Sequence, residues 1–268
     1  MIILKLQGGL GNQLFQVALG ITLSKTLQKK LTLSLDSFKD DKLRNFVLDK
    51  YKIEYNIISQ DEINKLIPYI TINEKKFNYH KLPFLDNSQV YYINGYWQSE
   101  KYFLNNKDLL KNLFKPKEKL QPKALFYKKL ILNSNSISIH VRRGDYISSP
   151  VAKRILGNCS LKYYKNSFLY LKKDLKELKF FIFSDDILWC KKNFKFIKNK
   201  VFIEKTLDYE ELFLMSQCKH NIIANSTFSW WAAWLNENKN KIIIAPNKWF
   251  NDKSMNDKDL IPKEWKKM

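Results

Sequence analysis

The sequence predicts an α/β protein built from two Rossmann-like domains facing a cleft. Three observations carry this. A strand, a glycine turn and a helix follow one another at the N-terminus and lead into a second strand by residue 36. Beyond residue 135, short apolar runs alternate with helical segments. Polar residues suited to anion binding recur just after those runs, where the strand ends of a parallel sheet gather ligands.

Taken in order, residues 2–7 (IILKLQ) read as a strand and Gly8-Gly9-Leu10-Gly11 as a turn. Leu14, Ala18 and Ile21 recur at helical spacing, and residues 31–36 (LTLSLD) alternate like a strand. The region 37–130 is less patterned, with a helix near 61–67 and a strand-like VYYINGYW at 90–97. Lys115 to Lys123 is charged and carries two prolines, which reads as a surface linker or a helix boundary. Strand-like runs follow at 137–141, 179–183, 201–204, 221–224 and 241–245. Between them, Leu161, Phe168, Leu171, Leu175 and Leu178 share one helical face, and further helices read as Ile187–Phe194, Tyr209–Cys218 and Thr227–Asn236. The alternation implies a parallel, doubly wound sheet. The division falls into residues 1–132 and 133–268.

Composition narrows the class. At 268 residues and 45% hydrophobic, the chain has material for two cores and is not a disordered tail. A net charge of +21 favours anionic partners. The lysines are scattered and mixed with asparagine, so they read first as a solvated surface, and no nucleic-acid partner is expected. The charge does favour peripheral association with an acidic membrane surface. Cys159, Cys190 and Cys218 have no close spacing and read as reduced thiols, not as a zinc or disulfide set. MIILKLQGGLG does not read as a signal peptide, and no apolar run approaches the ~20 residues of a membrane span. The expected location is cytoplasmic, with peripheral association at the inner membrane.

Three polar groups follow strands: His140 to Asp145, Ser184-Asp185-Asp186, and Asn225-Ser226-Thr227. They should converge on one rim. Arg142 and Arg143 offer planar donor forks that match phosphate oxygens. Strand alternation would send them to opposite sides, one to the cleft and one to Asp145. Gly144 permits a tight turn. Ser226, Thr227 and Ser229 would meet a phosphate at a helix start. Asp185 suits the donors of a guanine edge, and His140 suits a ribose or base. HVRRGDY thus reads as a diphosphate clamp. Each piece has a plainer reading: a surface salt bridge for the arginines, a helix cap for Asp185-Asp186, core packing for Trp230-Trp231-Ala-Ala-Trp234. Gly9-Leu10-Gly11 with Asp36 imitates a dinucleotide fingerprint, but Leu14 stands where its third glycine belongs, against close helix–strand packing. The turn instead would let Asn12 and Gln13 reach across the cleft.

At GGLGNQLFQ (8–16), HVRRGDY (140–146), FSDD (183–186) and NSTFSWWAAWL (225–235), the chain resembles the bacterial α-1,2-fucosyltransferases of glycosyltransferase family eleven. The resemblance implies a GT-B-type pair of domains, with 1–132 on the acceptor side and 133–268 binding GDP-fucose. It implies inverting, metal-independent transfer of L-fucose to the 2-hydroxyl of a galactose, on a glycan such as a lipopolysaccharide or O-antigen oligosaccharide, with no cofactor. Carried over by position, Arg142 contacts the diphosphate and Arg143 and Asp145 support that loop. His140 and Asp185 approach the guanosine. Asn225, Ser226, Thr227 and Ser229 hold the phosphates, and Gly9, Gly11 and Asn12 face the fucose and diphosphate. Arg142 and Asp145 are the catalytic candidates. The rival readings are a transferase for another nucleotide sugar, a non-catalytic nucleotide-sugar-binding subunit and a basic nucleic-acid-binding protein.

Overall fold

A computed structural model describes residues 1–66 and 68–268. The chain divides into two compact units, 1–117 with 258–260, and 118–257 with 261–268.

In the first unit the elements run β1 (Ile2–Lys5), α1 (Leu10–Leu27), β2 (Leu31–Ser34), β3 (Asn56–Ile58), α2 (Gln60–Lys65), β4 (Ile70–Asn73), β5 (Tyr91–Asn94) and α3 (Lys107–Leu113). The strands form a parallel sheet in the order β3-β2-β1-β5-β4. β1 is central because Ile2, Ile3 and Leu4 are apolar without alternation, as burial on both faces requires. Close packing of α1 on this sheet is achieved at Gly20. A Cβ there would run into the side chains of Leu4 and Leu31. The helix therefore sits tight on the strands although Leu14 breaks the dinucleotide pattern. α2 starts in a capping box between Ser59 and Glu62. The helix expected over 61–67 is α2, and Ile67 lies outside the described residues.

The second unit contains α4 (Pro122–Leu132), β6 (Asn135–Val141), α5 (Gly144–Ser148), α6 (Pro150–Ile155), α7 (Leu161–Asp174), β7 (Leu178–Ser184), α8 (Ile187–Asn193), β8 (Lys200–Phe202), α9 (Asp208–Ser216), β9 (His220–Ile222), α10 (Thr227–Leu235), β10 (Ile243–Ala245) and β11 (Lys266–Lys267). Its sheet is parallel, in the order β11-β10-β9-β6-β7-β8. The core joins Ile137, Ile139 and Val141 of β6 to Phe180, Ile182, Tyr164 and Phe194. Trp230, Trp231 and Trp234 are buried; Trp230 stacks with Trp234, Trp231 meets both edge-on, and the Trp265 ring lies 5.5 Å from Trp230, so this cluster is helix packing.

Two sequence expectations shift. α4 buries Ala124, Tyr127 and Ile131 within the second unit, so the division falls inside the Lys115–Lys123 stretch and not after residue 132. α7 stops at Asp174: Leu175 is extended, Glu177 takes a left-handed φ of 54°, and Leu178 opens β7. The helical face thus ends before the last two leucines assigned to it. The chain is α/β with two parallel sheets, each unit Rossmann-like. Among the described residues no helix is long and apolar enough to cross a membrane.

Candidate active site

β6, β7 and β9 are neighbours and parallel, so their C-terminal ends share one edge. His140 is the penultimate residue of β6, opposite Phe183, and Val141 lies opposite Ser184. The chain leaves β6 at Val141, so Arg142 and Arg143 belong to the connection into α5. Strand alternation therefore does not assign them, and carboxylates do.

Arg142 is the hub. Its Nε and Nη2 donate to Asp145 Oδ1 at 3.1 and 2.7 Å, and its Nη1 lies 3.1 Å from Asp185 Oδ2. Its guanidinium carbon stands 5.5 Å from the Tyr146 ring centroid. Burial works against the charge, but Asp185, Asp145 and Tyr146 outweigh it and the guanidinium pKa is raised. Arg143 does something else. Its Nε donates to Asp186 Oδ2 at 3.0 Å and its guanidinium lies 4.1 Å over the Trp189 ring. Asp186 also caps α8 by accepting from Trp189 N at 3.0 Å. Asp145 therefore braces Arg142, not Arg143, and Arg143 ties the loop to α8.

Gly144 owes its identity to close approach: a Cβ there would stand 2.7 Å from Asp185 Oδ2. That carboxylate also accepts from Arg143 N at 2.9 Å through Oδ1. Both Asp185 oxygens are thus engaged with the arginine loop, unlike the open acceptor pair expected for a guanine edge. His140 is 4% exposed, and its Nδ1 has no hydrogen-bond partner among the described residues. Burial, aided by the Arg142 charge, pushes its pKa down to about 3, so the imidazole is neutral at working pH. Its ring lies 5.5 Å from Phe228.

In the first unit, the turn before α1 sits at the C-terminal end of β1. Asn12 Oδ1 accepts from Gln98 Nε2 at 2.9 Å, and Gln16 bridges Gln7 N and Gly95 O at 3.1 and 3.0 Å. Gln13, fully buried, bonds Gly8 O, Asn45 O and Val47 N. Gln13 is a strut inside its own unit, which corrects the expectation that it reaches outward. Gly9 precedes α1 and Gly11 is buried in its first turn. Glu74, just past β4, accepts from Tyr96 N and Trp97 N at 2.7 and 2.9 Å and holds Trp97 at a left-handed φ of 56°. Burial raises the Glu74 pKa against those two hydrogen bonds.

Comparison with known proteins decides the family. The model of glycosyl transferase family 11 matches residues 1–268. The chain belongs to that family. It is 38% identical to an alpha-1,2-colitosyltransferase of Escherichia coli, over 98% of this chain and 97% of the relative. It is 34% identical to the O-antigen biosynthesis glycosyltransferase WbnK of Escherichia coli, over 93% and 95%. A galactoside 2-alpha-L-fucosyltransferase of Caenorhabditis elegans is 25% identical over the full chain and 79% of its own length. Among solved structures, the alpha-1,6-fucosyltransferase NodZ soaked with GDP-fucose superposes with a TM-score of 0.55, at 15% identity, covering 87% of this chain and 92% of that one. POFUT1 in complex with GDP-fucose gives 0.54, at 12% identity, covering 90% and 96%. These structural likenesses establish the fold.

The family-11 chain is a glycosyltransferase, and its motif residues divide into two sets. Ser226 and Thr227 lie at the start of α10, on the rim. Asn225 and Ser229 do not present free groups. Asn225 Nδ2 donates to the carbonyls of Leu156, Gly157 and Trp249, and its Oδ1 lies 3.5 Å from Cys159 Sγ. Ser229 is 1% exposed and donates back to Ser226 O at 3.3 Å. Both brace the loop, which corrects their assignment as direct ligand contacts.

One rim residue escaped the sequence reading. Glu211, on α9, accepts from Thr206 Oγ1 at 2.9 Å through Oε1, while Oε2 has no partner among the described residues. Burial, with the charges of Asp208, Asp185 and Glu210, raises its pKa to about 7. The available signal was position: Thr206 to Glu211 follows β8 as Asp185 follows β7.

Proposed function

We propose that this family-11 glycosyltransferase moves L-fucose from GDP-fucose to the 2-hydroxyl of a galactose in a glycan, with inversion. The observation that carries the reading is Arg142, a raised-pKa guanidinium held by two carboxylates at a strand-end rim beside a buried, neutral His140. Breaking the sugar–phosphate bond leaves an oxocarbenium-like sugar and adds negative charge to the diphosphate. A fixed guanidinium and the amides and hydroxyls at the α10 start stabilise that charge most in the transition state. The acceptor hydroxyl attacks from the opposite face and inverts the anomeric carbon.

Asp145 acts through Arg142 as a positioning residue. His140 Nδ1 and Glu211 Oε2 are the groups with capacity for the nucleoside, and Glu211 Oε2 can accept one N–H of a guanine edge while Oε1 stays with Thr206. Gly9, Gly11 and Asn12 serve the sugar end of the donor. The reaction needs no metal in this reading: Asp185 is bound to Arg142 and Asp186 to Arg143, so neither carboxylate is left as a ligand pair. The acceptor is a lipopolysaccharide or O-antigen oligosaccharide, in keeping with the O-antigen relative. The +21 charge supports peripheral association with an acidic membrane surface in the cytoplasm.

A second donor is favoured by the relative with 38% identity, which is named for colitose. Colitose is the 3-deoxy form of L-fucose, so one GDP-binding rim suits both. Competition between GDP-fucose and GDP-colitose for limiting acceptor, with a UDP-hexose as control, tests the reading. Preferred turnover of GDP-fucose supports it. Preferred turnover of GDP-colitose replaces the sugar and keeps the site, and turnover of the UDP-sugar alone refutes both.

A further inference from the structure

α4 is apolar on two opposite faces. Ala124, Tyr127 and Ile131 are buried in the second unit. On the far side Leu125, Phe126 and Leu132 are 42%, 53% and 56% exposed, with exposed Lys129 among them. At ~100° per residue these four side chains fan over roughly 120° of the helix. A surface helix ordinarily presents polar residues there, so this face has the composition of one that is covered in use.

What covers it is indicated next door. Leu132 is also a wall of an open pocket of about 580 Å³ formed with Asn135, Lys176, Lys179, Asn199 and Lys219. None of the three lysine ammonium groups has a hydrogen-bond or ion-pair partner among the described residues. Glu177 is the single carboxylate of the lining. Lysines near helix C-termini commonly complement the helix dipole. Lys179 has no such role, since it lies in β7, while Lys176 and Lys219 lie just past the ends of α7 and α9. The pocket sits at the N-terminal edge of the sheet, opposite the rim that carries Arg142, with the seven residues of β6 between them, a span of roughly 20 Å.

We propose that the α4 face and this lysine pocket form one docking surface for an anionic lipid bilayer. Leu125, Phe126 and Leu132 enter the interfacial layer, and Lys176, Lys179 and Lys219 take the phosphates of the headgroups. Apolar side chains backed by basic ones are the chemistry of interfacial helices, and neither a neutral bilayer nor a soluble anion satisfies both halves. Docked by this edge, the unit holds its catalytic rim off the membrane, toward the glycan part of a lipid-borne acceptor. The proposal rests on the membrane association included above and adds the surface that makes it.

The test is cosedimentation of the full chain with vesicles of phosphatidylcholine alone or with one-third phosphatidylglycerol. Binding is expected to the anionic vesicles, weakened by salt. The triple variant Lys176→Gln, Lys179→Gln, Lys219→Gln should lower partitioning on the order of a hundredfold, at about fivefold per lysine. Phe126→Ser with Leu132→Ser should lower it on the order of tenfold or more. Both variants should turn over a water-soluble galactoside at the parent rate, because none of these residues lies on the catalytic rim. Undiminished vesicle binding by both variants overturns this surface while leaving membrane association intact. No binding of the parent to anionic vesicles overturns both, and leaves the transfer reaction to its own assay. Two further outcomes overturn the proposal: calorimetric binding of inorganic phosphate to the pocket without vesicle binding, and a concentration-dependent dimer abolished by the serine variant.

Discussion

Replacing Arg142 with alanine removes the cation that Asp145 and Asp185 share. Two separate costs follow. In the free enzyme the two carboxylates are 22% and 25% exposed, and the guanidinium 23%. Breaking a fully buried pair costs ~3–5 kcal/mol, and solvent at this site reduces that to about 1–2 kcal/mol. For a chain of this size the melting temperature should fall by roughly 2–4 °C, and the variant stays folded. The catalytic cost is larger. A unit charge ~4 Å from the diphosphate is worth ~4 kcal/mol at an effective dielectric of 20, and only the charge that develops during bond breaking counts toward rate. Half of that plus the lost donor geometry gives about 3 kcal/mol, or on the order of a hundredfold in kcat. Arg142→Lys keeps the charge but loses the fork to both carboxylates, and should fall between the two. The assay is GDP release with saturating donor and acceptor, beside melting and GDP titration of the same preparation. A folded Arg142→Ala enzyme with kcat within threefold of the parent refutes the assignment of leaving-group charge to this residue.

Glu211, with its pKa raised from 4.5 to about 7, makes stability depend on pH. The protonated form is the one the fold favours, so its contribution is complete below pH 4.5 and is lost as pH rises through 7, by up to ~3 kcal/mol. Glu211→Gln should flatten that slope in urea unfolding at pH 5 and pH 8, gaining stability at pH 8 while weakening GDP binding. An identical slope in parent and variant removes Glu211 as its source. Gly144→Ala should displace Asp185, cost about 1–2 kcal/mol of stability and raise the donor KM more than the acceptor KM. Equal donor KM values would show that the loop adjusts without moving its carboxylate. Transfer should persist in EDTA, and loss of activity restored by a divalent ion would overturn the metal-free reading.

Much of the order beyond residue 135 was legible because β7 and β10 are mostly apolar, β6 carries Ile137, Ile139 and Val141, and α7 has one buried face; β11, two lysines, left no such run. β3 and β4 were not: their burial patterns are exposed-exposed-buried and exposed-exposed-buried-exposed, so edge strands left no apolar run to read. α4 was hidden for the opposite reason, being apolar on both faces, and the unit boundary was misplaced with it. The rim was legible from order alone, since residues after parallel strands must gather. Partner choice was not. Asp145 and Asp186 compete for the two arginines in three dimensions, and strand alternation ceased to apply once β6 ended at Val141. The Thr206 to Glu211 segment joined the rim through burial, which a single sequence does not display. The tight packing of α1 came from Gly20, a position outside the dinucleotide fingerprint.

The proposed reaction is transfer from a GDP-activated fucose at the Arg142 rim. It is tested most directly by incubating the purified chain with GDP-fucose and a galactose-terminated oligosaccharide and determining the product by NMR. The proposed reaction gives one fucose joined α-1,2 to galactose for each GDP released. A different linkage contradicts the acceptor assignment, and no transfer from GDP-fucose with turnover of another nucleotide sugar contradicts the donor.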